Sequence, residues 1–66
     1  MRIKINGKIT ILPKKTSLSD LLTLLDISNS RIAVEVNSEL ITRSKFKETI
    51  IEDGSSIEII TAIGGG

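Results

Sequence analysis

Residues 1–12 read Met1-Arg2-Ile3-Lys4-Ile5-Asn6-Gly7-Lys8-Ile9-Thr10-Ile11-Leu12. Apolar and polar side chains alternate through Ile5, which is the period of a half-buried strand. Asn6-Gly7 interrupts the pattern, and the alternation resumes at Lys8. Asn-Gly between two such runs predicts a β-hairpin, because both central residues of a type I′ turn need positive φ. Pro13 lacks a backbone donor and ends the second strand. The odd residues Met1, Ile3 and Ile5 are apolar where Arg2 and Lys4 are not, so the odd face of the first strand is the one to be buried.

A helix follows the hairpin. Leu18, Leu21, Leu22 and Leu25 stand at i, i+3, i+4 and i+7, which places them on one stripe. Ser17 or Thr16 can cap its start, and Asp20 suits the positive end of the helix dipole. Two to three turns are not stable alone, so this helix must lie against the sheet.

Ser28-Asn29-Ser30 reads as loop. Ile32, Val34 and Val36 alternate with Ala33 and Glu35 in a third strand, Asn37-Ser38 makes a turn, and Leu40-Ile41 form a short fourth strand. Thr42 to Ile51 has no clean period, and an irregular connection with a single helical turn around Phe46 is expected, its ring plugging the core. Asp53-Gly54 marks another turn before a last strand from Ile57 to Ile63. The order strand, strand, helix, then two or three strands gives an α+β domain of four to five strands in a mixed sheet, with one helix packed across one face.

Composition narrows the function. The chain has 66 residues, enough for one domain near the lower limit for folding on a single apolar core. Phe46 is its only aromatic residue, and neither cysteine nor histidine occurs. Disulfides, thiolate metal sites and cysteine nucleophiles are thereby excluded, together with the usual general base. Nine basic residues face eight acidic ones, a net charge of +1 that lacks the positive field of a nucleic-acid binder. No apolar run has the length of a membrane span, and the N-terminus has no secretory signal pattern. A soluble, cytoplasmic protein is expected.

The carboxylates offer no convincing catalytic pair. Glu35, Glu39 and Glu58 are expected on a solvated face rather than around a metal, and Asp53 is explained by its turn. Serines and threonines have no histidine to activate them. The expectation is of a protein that is not an enzyme, with no bound cofactor or metal.

The ending IEIITAIGGG, residues 57–66, is the remaining feature. Three extended glycines reach roughly 10 Å, and without side chains they can thread a channel that a Cβ would block. An α-carboxylate at Gly66 has a reference pKa of roughly 3.5 and is ionised at neutral pH. Adenylation with ATP would make it an electrophile that sulfur can attack. In the last strand Glu58 is expected to point to water, which puts Ile57 and Ile59 in the core and turns Ile60 and Ala62 outward. With Leu12 and Ala33, these extend into an apolar patch on the open face, a docking surface beside the tail.

The matching segments are the opening strand with Asn6-Gly7, Thr16-Ser17-Leu18 before the Leu-rich helix, Val34-Glu35-Val36-Asn37, Glu39-Leu40-Ile41 with Arg43, Asp53-Gly54, Ile57-Glu58-Ile59 and the glycine end. In this order, in a chain this short, they resemble the ThiS-type sulfur carrier proteins of thiamine biosynthesis, which are ubiquitin-like β-grasp domains related to the small subunit of molybdopterin synthase. One departure is Ser55, where the family often has an acidic residue. The resemblance implies a β-grasp domain over 1–63 and a flexible tail over 64–66. It implies that a ThiF-type enzyme, using ATP and magnesium, adenylates Gly66, and that sulfur from a cysteine desulfurase converts it to a thiocarboxylate. A ThiG-type thiazole synthase would receive that sulfur. Gly64 and Gly65 would enter both partner sites, with Ile60, Ala62 and Ile63 as docking residues. The molybdopterin synthase small subunit and a ubiquitin-like modifier conjugated through Gly66 are the alternatives, and a plain interaction module is a third.

Overall fold

The computed structural model describes residues 1–27 and 31–61. Its elements are β1 (Arg2–Ile5), β2 (Lys8–Ile11), α1 (Leu18–Leu24), β3 (Ile32–Val36), β4 (Glu39–Ile41), a 3₁₀ turn at Arg43–Lys45, and β5 (Ser56–Thr61). The five strands form one sheet in the order β2-β1-β5-β3-β4. β1 and β5 are parallel, and the other pairings are antiparallel. The expected mixed sheet with one main helix is therefore what forms, and β5 sits at its centre.

The first hairpin closes as its turn chemistry requires. Asn6 and Gly7 have φ of 49° and 84°, and Ile5 pairs with Lys8 across the two-residue loop. The second hairpin repeats the device without a glycine: Asn37 and Ser38 have φ of 52° and 70°, and Val36 pairs with Glu39. Asparagine visits this left-handed region more readily than most side chains do.

Ser17 is the helix cap. Its Oγ accepts the Asp20 N–H at 3.0 Å, while Thr16 Oγ1 donates instead to the Pro13 carbonyl at 2.7 Å. At the other end Asp26 takes φ 57°, Ile27 N–H donates to the Leu22 carbonyl and Asp26 N–H to that of Thr23. These two bonds make a Schellman closure with aspartate in the place glycine usually holds. The closure ends the helix before the stripe is complete. Leu18, Leu21 and Leu22 are buried, but Leu25, expected on the same stripe, is the C-terminal cap residue and is 39% exposed.

The core joins Ile3, Ile5, Leu12, Leu18, Leu21, Leu22, Val34, Phe46, Ile51, Ile57 and Ile59. Leu12 is a correction: it was expected on the open face and is buried beneath the helix side of the sheet. The hairpin register is the reason. Ile5 faces the core, so its partner Lys8 lies on the core side, Ile9 and Ile11 turn outward, and the next residue turns back in. The same register leaves Ile9 and Ile11 exposed on an edge strand.

Residues 42–51 form the irregular connection that the sequence suggested. The 3₁₀ turn delivers Phe46 into the core. The segment is then tied to the helix start by Leu18 N–H to the Thr49 carbonyl at 2.8 Å and Ile51 N–H to that of Thr16 at 2.9 Å. Ser55 follows the Asp53-Gly54 turn and is buried; its carbonyl accepts the Lys4 N–H at 3.0 Å. No helix among the described residues is long and apolar enough to cross a membrane.

Candidate functional site

β5 is held in position because the strand on each side of it, β1 and β3, bonds to it. Its backbone pairs with β3 over five residue pairs, from Ile32↔Thr61 to Val36↔Ile57. On the other side β1 contributes Lys4↔Ser56 and Ile5↔Ile57. Beyond the end of β1, Asn6 continues the ladder with its side chain. Its Oδ1 accepts the Ile59 N–H at 2.8 Å and its Nδ2 donates to the Ile59 carbonyl at 3.3 Å. At the lower end Asn37 does the equivalent for Ser56: Oδ1 accepts the Ser56 N–H at 2.9 Å, and Asn37 N–H donates to the Ser56 carbonyl at 2.7 Å. Thus each hairpin tip holds an asparagine against β5. The sequence marks both asparagines as turn residues in segments that carry the family resemblance; their clasp on β5 shows only once β5 lies beside both hairpins.

The faces of β5 are as expected from alternation. Ile57 and Ile59 are buried, Glu58 is exposed, and Ile60 is 55% exposed on the open face. Ala33 lies directly opposite Ile60, and Glu35 opposite Glu58. Leu40, the neighbour of Glu35 on β4, is also exposed on this face. Ile60 is therefore exposed one residue before the last residue of β5, with Ala33 beside it. Ala62, Ile63, Gly64, Gly65 and Gly66, and with them the proposed boundary between domain and tail, lie outside the described residues.

A shallow hollow of about 310 Å³ surrounds Ile60, lined by Arg31, Ile32, Ala33, Arg43 and Thr61. Its two arginines were not read as site residues, because Arg31 and Arg43 are distant in sequence and only the return of β3 and β4 brings them together. A second hollow, of about 410 Å³, lies at the start of β5 rather than at its end, among Arg2, Ile3, Lys4, Ile9, Gly54 and Ser56. Among the described residues no group of histidine, cysteine, aspartate or glutamate side chains is arranged to hold a metal ion.

The comparisons with known proteins agree with this geometry. The model of the ThiS family matches residues 2–66. The chain belongs to the ThiS family. The ThiS match spans both hairpins, the helix and the glycine end. The chain is 34% identical over 65 residues to the sulfur carrier protein ThiS of Bacillus subtilis, covering 97% of this chain and 98% of that one. It is 44% identical over 64 residues to the uncharacterized protein ycf40 of Porphyra purpurea, covering 97% of this chain and 90% of that protein. A thiazole synthase of Paramagnetospirillum magneticum matches all 66 residues at 32% identity, although the match spans only 20% of that protein. Among solved structures, the ThiS thiamine biosynthesis protein of Geobacter metallireducens superposes with a TM-score of 0.86 at 29% identity, over the whole of both chains. The ThiS-type β-grasp resemblance read from the sequence is borne out.

Proposed function

We propose that this protein is a sulfur carrier for the thiazole of thiamine, acting as a co-substrate of its partners rather than as an enzyme. The observation that carries this reading is the family match running through Gly66. An oxygen of the Gly66 carboxylate attacks the α-phosphorus of ATP on a ThiF-type enzyme, with magnesium, and pyrophosphate leaves. Sulfur then attacks the acyl carbon and AMP leaves. Hydrosulfide gives the thiocarboxylate directly, whereas the persulfide of a cysteine desulfurase gives an acyl disulfide that a second thiol cleaves, forming a disulfide and releasing the thiocarboxylate. On a thiazole synthase the sulfur bonds to the acceptor carbon, and the acyl carbon gains an oxygen from water or from the acceptor as the C–S bond breaks, restoring the carboxylate. That a thiazole synthase contains a stretch resembling this entire chain supports the partnership, since joined units act on one another most readily.

In this reading the sheet serves as a handle and residues 62–66 as the working arm. From Thr61 to Gly66 the arm can span at most roughly 17 Å, so the partner's reacting atoms must lie within that distance of the surface it presents to Ile60. Gly64 and Gly65 pass through the narrow part of the partner site, and Ile60, Ala62 and Ile63 dock at its mouth. The cycle is one of the cytoplasm, where ATP is available.

The test is the intact mass of the protein after incubation with ATP, magnesium, a ThiF-type enzyme and a sulfide source. Replacement of one oxygen by sulfur, located at Gly66 by fragmentation, is expected. An unchanged mass, with a known carrier converted alongside, would overturn the reading.

A further inference from the structure

The hollow around Ile60 has a charge pattern that apolar docking does not explain. Arg31 stands just before β3 and Arg43 opens the 3₁₀ turn after β4, and both are exposed while lining the same hollow as Ile60 and Ala33. One pleat back along β5 the sign reverses. Glu58 and Glu35 are direct cross-strand neighbours on the open face, and neither forms an ion pair among the described residues. A surface thus runs from cationic, beside the exit of the chain, through an isoleucine, to anionic below it. Guanidinium groups are suited to this position because their fork of donors matches a carboxylate, and their stems extend the apolar contact around Ile60.

We infer that this face seats on thiazole synthase through a rim of carboxylates around the opening that receives residues 62–66, with Arg31 gripping the rim and Arg43 adding positive charge beside it. The inference rests on the sulfur-carrier reading and adds the chemistry of the partner surface. Glu35 and Glu58 repel the same carboxylates, so the complex forms with the arm directed inward and not in the reverse orientation. Such complementarity fixes register and speeds encounter more than it deepens affinity. It also predicts that binding weakens with salt over the range where the Debye length shrinks from roughly 30 to 8 Å.

The experiment measures association of the full chain with a thiazole synthase by stopped-flow or surface resonance at low and physiological salt. Arg31→Glu is the primary variant, because Arg31 is exposed, and Arg31→Lys, Arg31→Glu/Arg43→Glu and Glu58→Gln accompany it. For Arg31→Glu an association rate reduced about tenfold at low salt is expected, with largely retained rates for Arg31→Lys and Glu58→Gln. The wild-type rate is expected to fall with salt and that of the double variant to stay flat. A thermal midpoint near wild type confirms that Arg31→Glu folds. Equal rates for wild type and Arg31→Glu would overturn the inference while leaving the carrier reading intact, provided Gly66 still acquires sulfur. Association with the adenylating enzyme is measured alongside, and a loss seen only there would overturn the choice of partner. A wild-type chain that neither binds thiazole synthase nor acquires sulfur would overturn both.

Discussion

Asn6 grips Ile59 by both backbone groups, its amide oxygen accepting the Ile59 N–H at 2.8 Å and its amide nitrogen donating to the Ile59 carbonyl at 3.3 Å. The side chain acts as one more peptide unit of β1, placed where the main chain has already turned away. Asn6→Gly keeps the positive φ of 49° accessible but leaves a partly buried N–H without its partner. A loss of about 1–3 kcal/mol in urea unfolding is expected, and Asn6→Asp, which keeps the acceptor, is expected to lose less. Equal stability of Asn6→Gly and wild type would show that water replaces the clasp.

The two exposed apolar regions of the open face separate docking from simple exposure. Ile60 and Ile11 are 55% and 71% exposed, so a glutamate at either is expected to change stability by less than about 0.5 kcal/mol. Only Ile60→Glu is expected to impair thiocarboxylate formation and sulfur delivery. Equal impairment by Ile11→Glu, measured by turnover with both partners, would move the docking surface to the first hairpin.

Helix leucines are expected to divide sharply. Leu22 is 3% exposed and Leu25 39%. Leu22→Ala is expected to cost about 2–5 kcal/mol, enough to unfold much of a domain this small. Leu25→Ala is expected to cost under about 1 kcal/mol. Thermal midpoints of the two variants check the helix end directly.

Ser17→Ala removes the acceptor for the Asp20 N–H and is expected to cost about 1 kcal/mol. Ser17→Asp is expected to recover most of that. Because Ser17 is 8% exposed, failure of aspartate to rescue would mean that burial of its charge outweighs the cap.

Deleting Gly66, or adding a residue after it, is expected to abolish thiocarboxylate formation while leaving the thermal midpoint within about a degree, since glycine has no side chain to bury. A lowered midpoint would assign the glycine a structural part instead.

Local signals carried most of the fold. Asn6-Gly7, the leucine spacing and the alternation of β3 and β5 each depend on neighbours in sequence, and, Leu25 apart, each appears where those patterns place it. Leu12 went astray for a reason already contained in the hairpin: a two-residue loop pairs Ile5 with Lys8, and counting outward from that pair turns Leu12 inward. Leu25 failed differently, because periodicity cannot show that Asp26 will take the left-handed conformation and close the helix a residue early. Ile60 was legible from alternation. The arginine pair was not, because it depends on where the chain runs before β3 and after β4, and the asparagine clasps were not, because they depend on β5 entering between β1 and β3.

The central placement of β5 also determines how the molecule bears a load. A partner that draws the end of the chain into its active site pulls along the axis of β5, and bonds to β1 on one side and β3 on the other resist together. Such a pull must shear them at once, whereas a strand at the edge of the sheet could be peeled away bond by bond. The hairpin-tip asparagines add a pin near each end of the strand. On the carrier reading, a β5 at the centre of the sheet is expected to withstand such a pull where an edge strand would give way.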